Sequence, residues 1–305
     1  MTRLTFFGFI FVYNALMKTL LLWLLATTLS FGSGVSLQVL GSGGPEIDGR
    51  ASSSYVLWID GKARALIDSG SGSMLGFEKS GAKLEDLEAV FISHLHIDHV
   101  VDLPSYIKAG YFSRRSQRLP IYGPTGNRSF PSMREFLQLS FGEKGLYRYM
   151  SDVLTPQSDS FEIVAHDLQN QNPQHLKFKT FSVDWVSVHH GIVPALAFRF
   201  VIGNKSLVIS GDTSNTKGTL IGILKNTDLF VAHHAVSEHA HPFALSLHMN
   251  PSNIGQLSQK AGVKKLLLSH RMRRTIGKEK KSLKAIRTYY KGKVVFAEDG
   301  MKIGL

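Results

Sequence analysis

The sequence contains no cysteine, and this absence removes several classes of site at once. Disulfide bonds, thiolate metal ligands and cysteine nucleophiles are all excluded. A lipoprotein anchored through a lipidated cysteine is excluded for the same reason. Any metal ion that side chains hold in this protein must therefore rely on histidine and carboxylate groups.

Acidic residues are also scarce, since 23 Asp and Glu stand against 35 Lys and Arg, for a net charge of +12. Much of the excess lies between Lys264 and Lys293, where twelve basic residues accompany a single acid, Glu279. A basic surface favours phosphate-bearing or otherwise anionic partners. A solvated helix face explains the same composition without any partner. Both interpretations stay open at this point.

The longest apolar stretch covers residues 4–31 and contains no acidic residue. From Met17 it is typical of a signal peptide, with a basic start at Met17-Lys18, an apolar centre over residues 20–26 and a small-residue end over residues 30–34. We expect cleavage near 32–36 and a periplasmic or secreted protein, with Met17 as an alternative start. The same stretch is long enough to span a bilayer, so an inner-membrane anchor is the alternative.

The rest of the chain alternates blocks of strands with helices. Strands are predicted at 35–40, 55–59, 63–67, 87–93, 119–122, 161–165, 176–188, 195–201, 207–210, 229–232, 265–269 and 294–297. Helices are predicted at 73–80, 100–110, 129–139, 215–226, 252–262 and 279–291. This order suits an α/β fold of two sheets sandwiched by helices. One domain over residues 36–305 follows the leader at 1–35, and 43% hydrophobic residues give it an ample core.

The run His94-Leu95-His96-Ile97-Asp98-His99 is the most informative part of the chain. It follows an apolar run that predicts a buried strand, and polar ligands at a strand end are typical of α/β sites. Alternation places His94 and His96 on one side, while Asp98 and His99 turn away and serve a second ion. Imidazole with carboxylate suits Zn, Mn or Fe rather than Ca or Mg. The run predicts a site for two divalent metal ions, and hence hydrolysis.

Three further apolar runs end in histidine or aspartate, and each alone would be explained by a capping or core residue. They end in His189-His190, in Asp212 and in His270. Together with the first run they give the order His-x-His-x-Asp-His, His, Asp, His.

This combination resembles the metallo-β-lactamase-fold hydrolase superfamily, and within it the branch of ribonuclease Z and its periplasmic relatives. The matching pieces are VLGSGGP, ALIDSGSG, FISHLHIDHVVDLP, VSVHHGIVPALAFRF, VISGDT and LHMNPSNIGQLSQKAGVKKLLLSH. The resemblance implies a four-layer αββα sandwich. It also implies the following metal ligands: His94, His96 and His190 for the first ion, with His189 as the alternative to His190; Asp98, His99 and His270 for the second; Asp212 bridging both. Asp68 is expected beneath the site, where it orients ligand imidazoles.

The resemblance further implies hydrolysis of a phosphodiester or related ester by a hydroxide shared between the metals. Asp98 would accept a hydrogen bond from that nucleophile. His248 would stabilise the oxyanion, and would protonate the leaving group if its pKa lay near the working pH. The alternative for His248 is a surface residue before a helix near Pro251.

The chain also departs from ribonuclease Z. His233-His234 stands where a His-Glu pair is expected, and no long Gly/Pro-rich arm is recognisable in residues 111–160. Shared chemistry is therefore expected, but not tRNA maturation. A true β-lactamase is a poorer match, because a bridging aspartate placed as Asp212 is not expected there.

Two other functional classes stay open, namely a lactonase or arylsulfatase on the same metal core, and a non-enzymatic metal- or nucleic-acid-binding module. The expected partner is an anionic small molecule or nucleic-acid-like substrate. A membrane partner is expected only if the N-terminal segment is retained, and a homodimer is left open.

Overall fold

The computed structural model describes residues 34–156, 158, 160–169 and 175–305. The predicted leader or anchor over residues 1–35 lies outside these residues up to residue 33, whereas residues 34–36 of the predicted cleavage region are described and lead into the first strand. The strands are β1 Val35–Gly41, β2 Ser54–Ile59, β3 Lys62–Ile67, β4 Ala89–Phe91, β5 Leu119–Pro124, β6 Ile163–Leu168, β7 His175–Lys177, β8 Ser182–His190, β9 Val193–Ile202, β10 Lys205–Ile209, β11 Leu229–His233, β12 Lys265–Ser269, β13 Lys293–Phe296 and β14 Lys302–Gly304.

The helices are shorter and lie between the strands. They are α1 Ser73–Lys79, α2 Ile97–Val100, α3 Leu103–Gly110, α4 Met133–Phe141, α5 Ile221–Leu224, α6 Pro242–Leu247, α7 Pro251–Lys260 and α8 Glu279–Tyr289. Two 3₁₀ segments cover Leu84–Asp86 and Arg148–Leu154. Within the described residues, no helix is both long enough and apolar enough to cross a bilayer.

The strands form two sheets of seven. The first has the order β14-β1-β2-β3-β4-β5-β6 and the second the order β13-β12-β11-β10-β9-β8-β7. In the first sheet β3 to β6 are parallel, and in the second β10 to β13 are parallel. The carboxyl ends of parallel strands lie at one edge of a sheet, which is where α/β proteins place their sites.

Three apolar layers hold the two sheets and their helices together. Between the sheets, Phe91 of β4 packs against Phe198 and Phe200 of β9, with ring centroids 5.5 and 5.2 Å away. Outside the first sheet, a second cluster joins it to α1, α3 and α4. Outside the second sheet, a third cluster joins it to α5, α7 and α8. The order helix, sheet, sheet, helix confirms the predicted four-layer αββα sandwich.

Local sequence explains where several elements begin and end. The predicted hairpin between β2 and β3 turns at Asp60-Gly61, whose φ angles of 50° and 75° are those of a type I′ turn. Helix α4 begins at Met133 rather than at the predicted residue 129. Pro131 disfavours a helical residue before it, and the Ser132 hydroxyl caps the helix by accepting from Glu135 N.

The prediction for residues 215–226 was too long, because only Ile221–Leu224 is helical. Asn215 and Gly218 both take positive φ angles, 52° and 65°, which a helix does not accommodate. The single strand predicted over 176–188 is also wrong. It is two antiparallel strands, β7 and β8, that turn near Lys179.

Candidate metal centre

Six strands from both sheets end at one edge, and each delivers a polar side chain there. Asp68 follows β3, the His94-to-His99 run follows β4, His190 ends β8, Asp212 follows β10, His233 ends β11 and His270 follows β12. The residues of the cluster come from positions far apart in the chain, so their meeting depends on the docking of the two sheets.

Asp212 lies at the centre of this cluster. Its Oδ2 is 3.9 Å from Nε2 of His94, 3.8 Å from that of His99, 3.7 Å from that of His190 and 3.6 Å from that of His270. One carboxylate oxygen therefore faces four imidazole nitrogens at nearly equal distances.

The imidazoles around Asp212 divide into two groups. His94, His96, His190 and Asp212 each offer one ligand atom, and all four atoms lie within 4.8 Å of one another. Within this group His94 Nε2 is 3.0 Å and His190 Nε2 is 3.4 Å from His96 Nδ1. His189 is not in the group, so the structure favours His190 over its neighbour.

The second group contains His99, His270, Asp212 and His233, again within 4.8 Å. Asp98 adjoins it, with its Oδ2 3.1 Å from His270 Nε2 and 3.6 Å from His99 Nε2. The run from His94 to His99 splits as its alternation predicts, because α2 begins at Ile97 and turns the chain after His96.

The electrostatics of the cluster fit divalent cations. Burial would raise the pKa of Asp212, but His270 and His248 hold it well below its usual range. Burial and the neighbouring His99 keep the pKa of His94 far below its usual value, so its ring nitrogen is free to act as a ligand. Burial alone would lower the pKa of His99, yet the charges of Asp98 and Asp68 raise it to about 9. The buried carboxylates thus demand a compensating positive charge.

The orientation of His99 points to the same conclusion. Its Nδ1 donates to Asp68 Oδ2 over 2.8 Å, while its buried Nε2 has no hydrogen-bond partner among the described residues and faces Asp98 and Asp212. Asp68 is itself held by Ser93, which donates to it through N (2.7 Å) and Oγ (2.9 Å). A carboxylate behind a histidine that fixes its tautomer is the usual support of a metal ligand. The donor set therefore fits a metal ion.

His248 is brought to the site and is not a surface residue. It is 7% exposed, its ring centroid lies 5.2 Å from that of His190, and its Nδ1 lies 3.9 Å from Asp212 Oδ1. Burial lowers the pKa of His248 to about 3. The neutral ring carries no spare proton at neutral pH, so the condition set for its role as an acid is not met in the substrate-free protein.

The sequence-based ligand set omits His233. Its Nδ1 donates to Asp212 Oδ1 over 2.8 Å, and its Nε2 lies 3.2 Å from the hydroxyl of Tyr55. His234 turns the other way, where its Nε2 lies 2.9 Å from Ser282 Oγ on α8. The available signal was the parallel arrangement of β10, β11 and β12, which places the end of β11 between two strands that carry ligands.

With this geometry established, the sequence profile of the metallo-beta-lactamase superfamily matches residues 47–242, more than half of the chain. The chain belongs to the metallo-beta-lactamase superfamily. The predicted family is confirmed, and with it the prediction of a metal-dependent hydrolase.

Individual relatives agree with this assignment. A ribonuclease Z of Methanosarcina acetivorans is 23% identical over 274 residues, which cover 78% of this chain and 87% of the relative. Among solved structures, the metallo-beta-lactamase fold protein YhfI of Bacillus subtilis superposes with a TM-score of 0.71 at 23% identity, covering 89% of this chain and 99% of YhfI. The short form of human tRNase Z gives a TM-score of 0.66 at 24% identity, covering 88% of this chain and 98% of that one.

Proposed function

We propose that this protein hydrolyses phosphodiester bonds at a centre of two divalent metal ions, with zinc as the first candidate and manganese or iron as the others. The observation that carries this proposal is the position of Asp212 Oδ2, within 3.6–3.9 Å of imidazoles from both ligand groups. The ribonuclease Z relatives support a phosphodiester as the substrate class.

In this proposal the first ion is held by His94, His96 and His190, the second by Asp98, His99 and His270, and Asp212 contacts both. Two such ions would supply Lewis acidity toward a phosphoryl oxygen and would lower the pKa of a water between them. The remaining steps belong to side chains of this chain.

Asp98 accepts a hydrogen bond from the attacking water and orients it. Burial would raise its pKa, but His99 and His270 hold the pKa well below the usual range, so the carboxylate stays ionised. His248 donates a hydrogen bond to a phosphoryl oxygen. Its Nδ1 is buried and has no partner in the described structure, although it lies beside Asp212 and His270. A neutral donor at this place stabilises charge that develops on the oxygen.

The basic segment supports an anionic substrate. Lys278, Lys281 and Lys284 line a surface cavity of about 520 Å³ beside α8. Lys278 Nζ donates to the backbone oxygen of Arg274, and the charge of Arg274 contributes to the low pKa of His248. Positive charge thus continues from α8 toward the proposed site and would attract a phosphate-bearing ligand.

Maturation of tRNA is not part of the proposal. Residues 119–154 form β5, α4 and the Arg148–Leu154 segment, and Leu137, Phe141 and Met150 are buried in the core beside the first sheet. This region therefore packs against the first sheet as part of the core. In ribonuclease Z, an arm that grips the substrate is expected in the corresponding part of the chain.

The test combines metal analysis with a substrate panel on one sample. The panel contains an aryl phosphodiester, an aryl sulfate, a lactone and a cephalosporin. We expect two equivalents of metal and turnover of the phosphodiester, which Asp212→Ala reduces by more than about 100-fold together with the metal content. Asp184→Ala, at a half-exposed site on β8, is the matched control and leaves both unchanged. Turnover of only the lactone or the sulfate would replace the phosphodiesterase proposal, and protein that takes up no metal would end it.

Export is a separate proposal, which rests on the signal-like sequence from Met17. Sequencing of the amino terminus of protein recovered from the periplasm and from membranes tests it. A terminus near residues 32–36 in the soluble periplasmic fraction is expected. An intact terminus in the membrane fraction would favour the anchor, and an intact terminus in the cytoplasm would refute export.

A further inference from the structure

Three segments beside the proposed metal centre carry apolar side chains that are exposed or only half-buried, namely Phe243 and Leu247, Ile192, and Phe130. The first is helix α6, whose sequence is Pro-Phe-Ala-Leu-Ser-Leu, yet none of its residues is buried. Phe243 on this helix is 70% exposed. A surface helix normally turns its apolar residues toward a core. Here Ala244, Leu245 and Leu247 are only half-buried and Phe243 is exposed, which leaves an apolar surface available to another molecule.

Helix α6 is attached directly to the candidate ligands. His190 Nδ1 donates to the backbone oxygen of Leu247, the last residue of α6, over 3.0 Å. Leu247 also lies against Gly191, because a Cβ placed on that glycine would come within 2.8 Å of Leu247 Cδ2. Phe243 is four residues before Leu247 and so lies on the same side of the helix.

The second segment is the turn between β8 and β9. It consists of Gly191 and Ile192, since His190 pairs with Val193. Gly191 has a φ of 61°, as the first position of a type II′ turn requires. The second position of this turn does not require an apolar side chain. Ile192 nevertheless occupies it and is 72% exposed. The identity of this residue is thus not set by the turn.

The third segment is the loop that carries Phe130. The ring of Phe130 lies 6.0 Å from the ring of His96. Its loop is fixed by Asn127, whose Oδ1 accepts from Phe130 N and whose Nδ2 donates to the backbone oxygen of Ile192 over 2.8 Å. The loop and the turn are therefore joined, and they hold Phe130 and Ile192 together beside the site.

From these contacts we infer that Phe130, Ile192, Phe243 and Leu247, hereafter the apolar rim, bind a flat aromatic group of the substrate. This inference rests on the proposed function, and it names the substrate class as phosphodiesters with an aromatic substituent next to the reacting phosphate. Two of the four side chains are aromatic, and aromatic faces stack favourably on phenyl rings and on nucleobases alike. An aliphatic substituent would leave the two rings exposed to water.

The test compares phenylphosphonate with methylphosphonate, which carry the same charge and differ in the apolar group. Each is titrated calorimetrically into zinc-reconstituted protein. We expect phenylphosphonate to bind about tenfold more tightly. Phe130→Ala and Phe243→Ala should each reduce this preference by about fivefold. This factor is the lower end of the effect expected when one stacking aromatic side chain is replaced by alanine. Phe112→Ala is the control, since Phe112 is 83% exposed just beyond the end of α3, remote from the His94-to-His99 run.

Equal affinities for the two phosphonates, or binding of neither, would overturn the inference. A preference that survives both rim substitutions would overturn it as well. Hydrolysis of phenyl and methyl esters of p-nitrophenyl phosphate is measured in parallel. Turnover with no preference between the phosphonates would refute the rim alone, whereas a phenyl preference without turnover of either ester would refute the proposed function alone.

Discussion

Asp68→Asn tests how the site is supported, because Asp68 touches one candidate ligand and no other part of the proposed chemistry. It accepts from His99 Nδ1 over 2.8 Å and from the backbone and hydroxyl of Ser93. Asparagine keeps the volume and one acceptor oxygen but removes the charge. The tautomer of His99 is then no longer fixed, and its Nε2 becomes a weaker metal ligand.

Loss of such a carboxylate typically weakens metal binding 10–100-fold, or about 1.4–2.7 kcal/mol. His99 belongs to only one of the two ligand groups. The loss should therefore fall on one ion, while the group of His94, His96 and His190 keeps its affinity. Zinc titration against a chromogenic chelator should show two similar sites in the unchanged protein and two clearly separated sites in the variant.

The control for this experiment is Asp60→Asn. Asp60 is exposed, with a φ of 50°, and Asp68 has a φ of 54°. Both backbones lie in the left-handed region, which asparagine tolerates as well as aspartate does, so the conformational effect of the substitution is matched. Unchanged zinc binding in Asp68→Asn would refute the supporting role. An equal loss at both sites would refute the division of the ligands into two groups.

Three further outcomes are expected. His234→Gln should make stability less dependent on pH, as measured by denaturant unfolding at pH 7 and pH 5. Burial lowers the pKa of His234 to about 4, so only the unfolded chain, with a pKa near 6.5, takes up the proton as pH falls, and about 2 kcal/mol of stability is lost by pH 5. An equally steep loss in the variant would contradict this. Phe91→Ala should cost about 3–5 kcal/mol in chemical unfolding, since Phe91 is fully buried between the sheets, and a cost below about 1 kcal/mol would contradict the core described. Removal of metal by a chelator should lower the melting temperature, and Asp212→Ala, lacking the shared ligand, should show no such shift.

Much of the site was predictable from sequence because each candidate ligand follows an apolar strand. His94, Asp212 and His270 stood out as candidates because each follows an apolar run, and the resemblance to a known family assigned them to one site. His233 and His234 could not be told apart in this way. Only the observed orientation of β11 decides which of two adjacent histidines faces Asp212 and which faces α8.

The apolar rim illustrates a different limit of sequence analysis. Phe130, Ile192 and Phe243 are separated by 62 and 51 residues along the chain and share no motif. They lie near one another because Asn127 joins one loop to the β8–β9 turn, and His190 joins that turn to α6.

The predicted start of helix α4 at residue 129 was wrong for a local reason. At Pro131 the backbone preference of a single residue outweighs an amphipathic pattern.

The shared position of Asp212 also bears on when the protein acquires its metal. In the first ligand group, His94 and His96 follow a strand of the first sheet, whereas His190 and Asp212 lie at the ends of strands of the second sheet. Neither half of the chain contains a complete set, so tight binding begins only after the two sheets have docked. Because histidine and carboxylate sites discriminate weakly among transition metals, the ions present in the compartment where folding finishes will decide which metal is captured.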